Sequence, residues 1–270
     1  MKLTNSIKSI AIGSFDGIHI AHQKLISQSE AVVIIEKNRA TITTGYKRTE
    51  YINKPSFFYH FDHIKLLTAK EFIEKLKEDF PKLEKIIVGY DFAFGYKKEG
   101  NTALLQKLFN GEVIIVDEVK YNNISVHSCT IRKYITKGNI DIVNKLLNHN
   151  YKIDGKVIKG QGLGKKELVP TLNLKVYDYI LPKSGVYTTS SLINNRWLPS
   201  VSFLGHRVTT DGSFAIETHI IDKDIGEIEG SISLEFISYI RGNRKFEGLD
   251  ALKKQIESDI ELARYNYTKA

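Results

Sequence analysis

The chain has 270 residues, 42% of them hydrophobic and 26% charged, with a net charge of +8. That length suits two domains, each able to bury a core. The single cysteine, Cys129, excludes an intrachain disulfide and a cysteine-rich metal site. No apolar run approaches the roughly 20 residues that span a membrane, and the apolar stretch Ser9–Gly13 is too short for a signal peptide. The expectation is a cytoplasmic protein without a membrane partner. The basic balance fits either a solvated surface or an anionic partner, nucleic acid or a phosphorylated small molecule, and charge alone does not choose.

In chain order, Ser6–Gly13 predicts a short strand, Gln23–Glu30 a helix and Ala31–Ile35 an apolar strand. Ala69–Lys77 has helical spacing, with Phe72, Ile73 and Leu76 on one side. Lys85–Tyr90 predicts a buried strand, Asn101 caps a helix over Thr102–Phe109, and Glu112–Val116 is another apolar strand. Strands alternating with helices predict a parallel sheet with helices on both faces. Ile140, Val143, Leu146 and Leu147 predict a short helix with Asn139 as N-cap. The character changes near Asn148–Tyr151, which divides the chain into domains 1–148 and 149–270. Beyond it, Tyr151–Ile158, Gly185–Ile193, Trp197–Phe203, Phe214–Ile221 and Ser231–Tyr239 are strand-like, separated by turn signals such as Asn194-Asn195 and Asp211-Gly212. They predict an antiparallel barrel or sandwich. Leu249, Leu252, Ile256, Ile260 and Ala263 mark a closing helix.

The segment Gly13-Ser14-Phe15-Asp16-Gly17-Ile18-His19-Ile20-Ala21-His22-Gln23 lies between the first strand and the first helix. Ligands of open parallel sheets bind at the carboxyl ends of strands. Glycines let the backbone approach a phosphate, and a helix N-terminus offers free N–H groups to anions. His19 and His22, three residues apart, share one helical face. The residues alone also fit a glycine turn with a surface histidine pair; a zinc site lacks both HExxH and a third ligand. The segment resembles the FDGxHxGH signature of bacterial FAD synthetases, members of the nucleotidyltransferase superfamily with HIGH-type motifs. Val88-Gly89-Tyr90-Asp91-Phe92-Ala93-Phe94-Gly95, followed by Gly100, resembles that family's VGxDFxFG-x4-G element. Ser128-Cys129-Thr130-Ile131-Arg132 stands where the family has SST-x-x-R. The resemblance implies nucleotide contacts at Gly13, Phe15, Asp16, Gly17 and Ser128, and flavin contacts at Asp91 and Phe92. It also implies that His19, His22 and Arg132 stabilise charge on the phosphates. Ala21 replaces a glycine and Cys129 a threonine, and Lys98 stands for an arginine. Ile35-Glu36-Lys37-Asn38 stands near the place of a phenylalanine-proline-histidine-proline segment.

In the second half, Gly155, Gly160, Gly162 and Gly164 punctuate a basic stretch ending in Lys165-Lys166. The spacing is not that of a Walker A loop, and a glycine-rich hairpin and a phosphate loop both fit it. Pro170-Thr171-Leu172-Asn173 places a hydroxyl and a carboxamide two residues apart, on one side of an extended segment. Such oxygens suit Mg²⁺ carrying phosphates; a turn fits the tetrapeptide equally. Glu217, between apolar neighbours, fits a general base or an ordinary strand-face carboxylate, and His219 shares its face. This half resembles the riboflavin kinase module of bacterial bifunctional enzymes. The matching elements are Tyr151–Val157 with the glycine loop, Pro170–Asn173, Leu181–Tyr187, Gly205-His206-Arg207, Glu217-Thr218-His219 and Arg241–Phe246. The resemblance implies nucleotide binding by Gly160, Gly162, Gly164 and Lys165, Mg²⁺ held by Thr171 and Asn173, Glu217 as the base, and a flavin contact at Arg241.

The resemblance spans about residues 6–265. It implies an α/β Rossmann-like nucleotidyltransferase domain followed by an all-β six-stranded barrel domain with a C-terminal helix. The implied chemistry is phosphorylation of riboflavin to FMN and adenylylation of FMN to FAD, with ATP and Mg²⁺ and no nucleic acid. Three alternatives stay open at this point. One is a kinase with a degenerate or regulatory N-terminal domain. Another is a cytidylyltransferase or pantetheine-phosphate adenylyltransferase, whose single domain would leave the barrel unexplained. The third is a non-enzymatic flavin-binding regulator that contacts RNA.

Overall fold

The computed structural model describes residues 6–37, 40–159, 169–207 and 212–269. They form two compact units, Met1–Ser128 and Cys129–Ala270.

The first unit contains strands β1 (Ser9–Gly13), β2 (Ala31–Glu36), β3 (Ser56–His60), β4 (Lys85–Gly89) and β5 (Glu112–Val116). All pair in parallel, in the order β3-β2-β1-β4-β5. Helices α1 (Ile20–Ser27), α3 (Ala69–Asp79) and α4 (Thr102–Leu108), the single turn α2 (Phe61–Ile64) and a small hairpin of β6 (Lys120–Tyr121) and β7 (Ile124–Ser125) complete it. Alternate residues of one strand serve two cores. Ile10, Ile12, Val33, Ile86 and Val88 pack with Phe72, Ile73 and Leu76 of α3 and Leu105 of α4. Ala11, Val32, Ile34 and Ile87 pack with Leu25, Ile26, Phe15 and Ile18. A sheet covered on both faces needs apolar residues at every position, which explains unbroken runs such as Ala31–Ile35. Strand order reverses at β1, with β2 on one side and β4 on the other. The crevice beyond the carboxyl ends of β1 and β4 is where such sheets bind ligands.

Two local differences from the sequence expectation have physical causes. Helix α1 starts at Ile20 rather than Gln23, because His19 caps it, its side chain accepting from the His22 N–H. Histidine is not among the usual N-cap residues, so the start carried no signal. Strand β3 was not expected; it is an edge strand of half-buried aromatic residues, without the aliphatic run of a central strand. Helix α3 begins on a capping box of Thr68 and Glu71, and Asn101 caps α4 through the Leu104 N–H.

The second unit begins with α5 (Ser128–Lys137, whose first residue belongs to the first unit) and α6 (Ile140–Leu147). Its barrel comprises β8 (Tyr151–Ile158), β9 (Leu172–Val176), β10 (Gly185–Ile193), β11 (Arg196–His206), β12 (Phe214–Ile220) and β13 (Ser231–Gly242), followed by helix α7 (Leu249–Lys269). The six strands close in the order β10-β11-β12-β9-β8-β13, all pairs antiparallel. The sequence pattern changes near Asn148, yet α5 and α6 group with the barrel. Asn144 of α6 donates to Phe236 O at 2.9 Å and accepts from Tyr151 N at 2.8 Å. Asn148 ends α6 in a left-handed conformation.

The barrel interior is partly aromatic and partly hydroxylic. Tyr187 meets Phe236 edge-on at 5.2 Å, and Phe236 stacks on Tyr151 at 5.8 Å. Beside them Thr189, Ser191, Ser200, Ser202 and Thr218 are fully buried. Thr189 Oγ1 bonds Ser200 and Ser202 at 2.8 and 2.7 Å, Ser191 bonds Ser200 at 2.9 Å, and Ser202 Oγ donates to Thr218 Oγ1 at 2.9 Å. Ser191 and Thr218, 3.4 Å apart, close the ring, so each of the five hydroxyls has one neighbour to donate to and one to accept from.

Candidate active sites

In the first unit the turn after β1 is held tightly. Phe15 and Ile18 take left-handed backbone conformations, φ 47° and 42°, on either side of Gly17 at 88°. A β-branched residue there is a true outlier, and such strain collects where a ligand site must be shaped. Asp16 is buried, and its Oδ1 accepts from the Ile42 and Thr43 N–H groups at 2.8 and 3.1 Å, tying the segment after β2 to this turn. Gly13 is not sterically demanded: an added Cβ would make ordinary contact with the Phe15 ring at 3.4 Å.

His19 and His22 stack, ring centroids 3.5 Å apart and 17° from parallel, with Phe15 edge-on to His22 at 5.1 Å. His19 Nδ1 accepts from the His22 backbone, so a neutral His19 carries its proton on Nε2. That nitrogen lies 3.4 Å from Ser128 Oγ, which donates to Asp16 O at 2.9 Å. Burial, then electrostatic interaction with His127, pushes the His19 pKa down to about 3. Burial, then His19, Arg48 and His127, holds His22 well below the ordinary histidine range. Without ligand both rings are therefore neutral hydrogen-bonding groups. The buried His22 Nδ1 has no hydrogen-bond partner.

Asp91 and Phe92 follow β4, at the other side of the same crevice. Asp91 is exposed, its Oδ2 3.8 Å from His127 Nδ1, and Phe92 stacks on Phe94 at 5.4 Å. His127 Nε2 also bonds the Tyr90 hydroxyl at 3.0 Å. His127 and Arg48 thus join the histidine pair although neither was singled out in the sequence. His127 adjoins the Ser128 motif; Arg48 sits 12 residues beyond β2 in an unremarkable Lys-Arg pair. Arg132 belongs to the second unit, four residues along the helix opened by Ser128, and is half-buried.

In the barrel, strand alternation turns Thr218 inward and Glu217 outward. Glu217 lies directly opposite Asn173 across the β12–β9 pair. Arg207, just after β11, bridges them. Its Nε and Nη2 donate to Glu217 Oε1 at 2.8 and 2.6 Å, and Nη2 donates to Asn173 Oδ1 at 2.6 Å. His219 Nδ1 lies 2.7 Å from Pro170 O, anchoring the segment that carries Thr171. Arg207 was noted in the sequence only as part of a motif, without a role. Arg241 is engaged elsewhere: Nε and Nη2 form three bonds of 2.6–3.0 Å to the buried Asp259 of α7, and its guanidinium packs on Phe246 at 5.4 Å. Gly160, Gly162, Gly164 and Lys165 lie outside the described residues.

Two family models match the chain, FAD synthetase over residues 29–130 and riboflavin kinase over 147–267. A bifunctional riboflavin kinase/FMN adenylyltransferase of Buchnera aphidicola (subspecies Acyrthosiphon pisum) is 31% identical, with 96% of this chain and 93% of the relative covered. The chain belongs to the bifunctional riboflavin kinase/FMN adenylyltransferase family. Members of the same description from Listeria monocytogenes and Escherichia coli K12 are 27% and 28% identical, over 98% and 94% of this chain and 94% and 91% of theirs. A crystal structure described as a macrolide-efflux protein of Streptococcus pneumoniae superposes with a TM-score of 0.85 at 26% identity, covering 96% of this chain and 95% of that one. Among the described residues no helix is long and apolar enough to cross a membrane.

As a member of this family the protein uses ATP to phosphorylate riboflavin to FMN and to adenylylate FMN to FAD. Nothing in these matches favours a degenerate N-terminal half. The Gly13–Gln23 motif lies ahead of the FAD synthetase match but within the span shared with the full-length relatives.

Proposed function

We propose that Glu217, Asn173, Thr171 and Arg207 carry the kinase chemistry and that the cluster around His19 and His22 carries adenylyl transfer. The observation behind the kinase assignment is Glu217 opposite Asn173 with both oxygens on one cation, the Arg207 guanidinium. Arg207 places two N–H bonds on Oε1, which leaves Oε2 to accept the proton of the riboflavin 5′-hydroxyl as that oxygen attacks the γ-phosphorus. Thr171 and Asn173 would hold Mg²⁺; their oxygens are hard donors, and Asn173 Oδ1 already faces positive charge. A metal held there would neutralise phosphate charge, on which phosphoryl transfer depends together with positioning. Gly160, Gly162, Gly164 and Lys165 would line the nucleotide, and Arg241 would act on the flavin from its place beside Phe246.

In the other unit, Gly13, Phe15, Asp16, Gly17 and Ser128 would shape the ATP site, and Asp91 and Phe92 the flavin side. His19 and His22 would stabilise charge on the phosphates. The division of labour would be residues 1–148 for adenylyl transfer and 149–270 for phosphorylation, in the cytoplasm.

Glu217→Gln keeps the shape and removes the base. Riboflavin phosphorylation is expected to fall by about 10²–10⁴-fold, while FAD formation from supplied FMN persists. Near-normal turnover at saturating riboflavin would assign the proton to the phosphates or to water.

A further inference from the structure

Among the described residues of the first unit, three buried side-chain polar atoms have no hydrogen-bond partner: His22 Nδ1, Thr41 Oγ1 and Arg48 Nε. Unsatisfied buried groups are few in folded proteins, and each calls for a reason. These three come from the segments that follow β1 and β2, at the carboxyl end of the sheet. The Asp16 carboxylate fastens the two segments together through the Ile42 and Thr43 N–H groups.

Arg48 is the most unusual of the three. Its side chain is 2% exposed, yet its guanidinium makes one bond, Nη1 to Glu36 Oε1 at 3.2 Å. Two arginines beside the barrel, Arg241 and Arg207, behave differently. Arg241 puts three bonds on Asp259 and one on Gly242 O, and Arg207 puts four on Glu217, Asn173 and Ser213. A buried guanidinium normally saturates its fork of donors, because each unmade bond there costs desolvation. Arg48 leaves most of its fork unused beside His22, whose pKa its charge helps to depress.

We propose that Arg48 is the buried cation of the adenylyl-transfer site, with Thr41 as its neutral companion, and that it binds the β- and γ-phosphates of ATP. An FMN phosphate oxygen attacks the α-phosphorus, a new P–O bond forms, the bond from the α-phosphorus to the bridging oxygen breaks, and pyrophosphate leaves with that electron pair. The neutral His19 and His22 donate hydrogen bonds but add no charge. Arg48 supplies the charge that the leaving pyrophosphate needs, and it is preorganised by Glu36. Glu36, the last residue of β2, is the carboxylate that aims this arginine.

The test uses the whole chain and two readouts, FAD formation from FMN and ATP, and calorimetric binding of inorganic pyrophosphate. Riboflavin phosphorylation in the other unit is the folding control. For Arg48→Ala the expected loss is about a hundredfold in FAD formation, with pyrophosphate affinity weakened about tenfold and FMN formation within twofold of the parent. Arg48→Lys should recover part of both readouts. FAD formation near the parent rate with unchanged pyrophosphate binding would overturn the proposal. Should Arg48→Ala fail to fold because Glu36 is left unpaired, the double variant Glu36→Gln/Arg48→Gln removes both charges together. A folded double variant that still lacks FAD formation and pyrophosphate binding supports the proposal. One that regains both reduces Arg48 to a structural ion pair.

Discussion

The barrel and the sheet unit solve the problem of buried polar groups in opposite ways. In the barrel, five hydroxyls lie at the centre with no solvent contact, and each is bonded to another. On the outer side of the strands Arg207 holds Glu217 Oε1 and Asn173 Oδ1, and Arg241 holds the buried Asp259. In the sheet unit the cores are apolar, and the buried polar groups sit together at the strand ends with donors left unmade. A satisfied polar network fixes one structure, whereas unsatisfied donors gathered in a crevice are a cost that a bound anion removes. Polarity alone therefore does not locate a site; unmet hydrogen-bonding capacity does.

The comparison can be broken at several points. His22→Ala should cost the sheet unit about a hundredfold in FAD formation, the usual scale for one transition-state donor, and leave FMN formation nearly untouched. Equal loss of both activities would mean that the pair serves folding rather than chemistry.

Thr218→Val should have the opposite character. It leaves the Ser202 hydroxyl without its acceptor inside the barrel and should cost about 1–3 kcal/mol of stability in that unit. The single tryptophan, Trp197, lies on β11 and reports barrel unfolding by fluorescence. An unchanged midpoint would show that the hydroxyl chain contributes nothing beyond shape.

The smallest expected effect is a pH dependence confined to the sheet unit. His19 has a folded pKa of about 3 against an ordinary 6.5. The unfolded chain therefore takes up a proton near 6.5 that the folded chain refuses. The contribution is fully present above 6.5 and is lost progressively as pH falls towards 3, and His22 adds in the same direction. Urea midpoints measured by circular dichroism between pH 8 and pH 5 should fall for the sheet unit, with a weaker trend in Trp197 fluorescence. A flat profile without ligand would mean that water reaches the histidines.

Much of the architecture was legible in the residues because it rests on periodicity. Unbroken aliphatic runs such as Ala31–Ile35 and Ile86–Val88 are what a doubly covered sheet requires, and Glu112–Val116, Tyr151–Ile158 and Gly185–Ile193 coincide with observed strands. The same alternation puts Glu217 outside and Thr218 inside. Local sequence is silent where the cause is not local. β3 is a strand because β2 offers it an edge, and α6 joins the barrel because Asn144 reaches Tyr151 and Phe236. Sequence motifs by themselves determined the two-part fold, the family and the histidine pair, since each is written in contiguous residues. Only the tertiary structure decided that Arg207 joins Glu217 to Asn173, that both histidines are held neutral, and that Arg48 is buried with its donors unmet. Burial and ion pairing arise between residues 10–34 positions apart, so no stretch of sequence holds both partners.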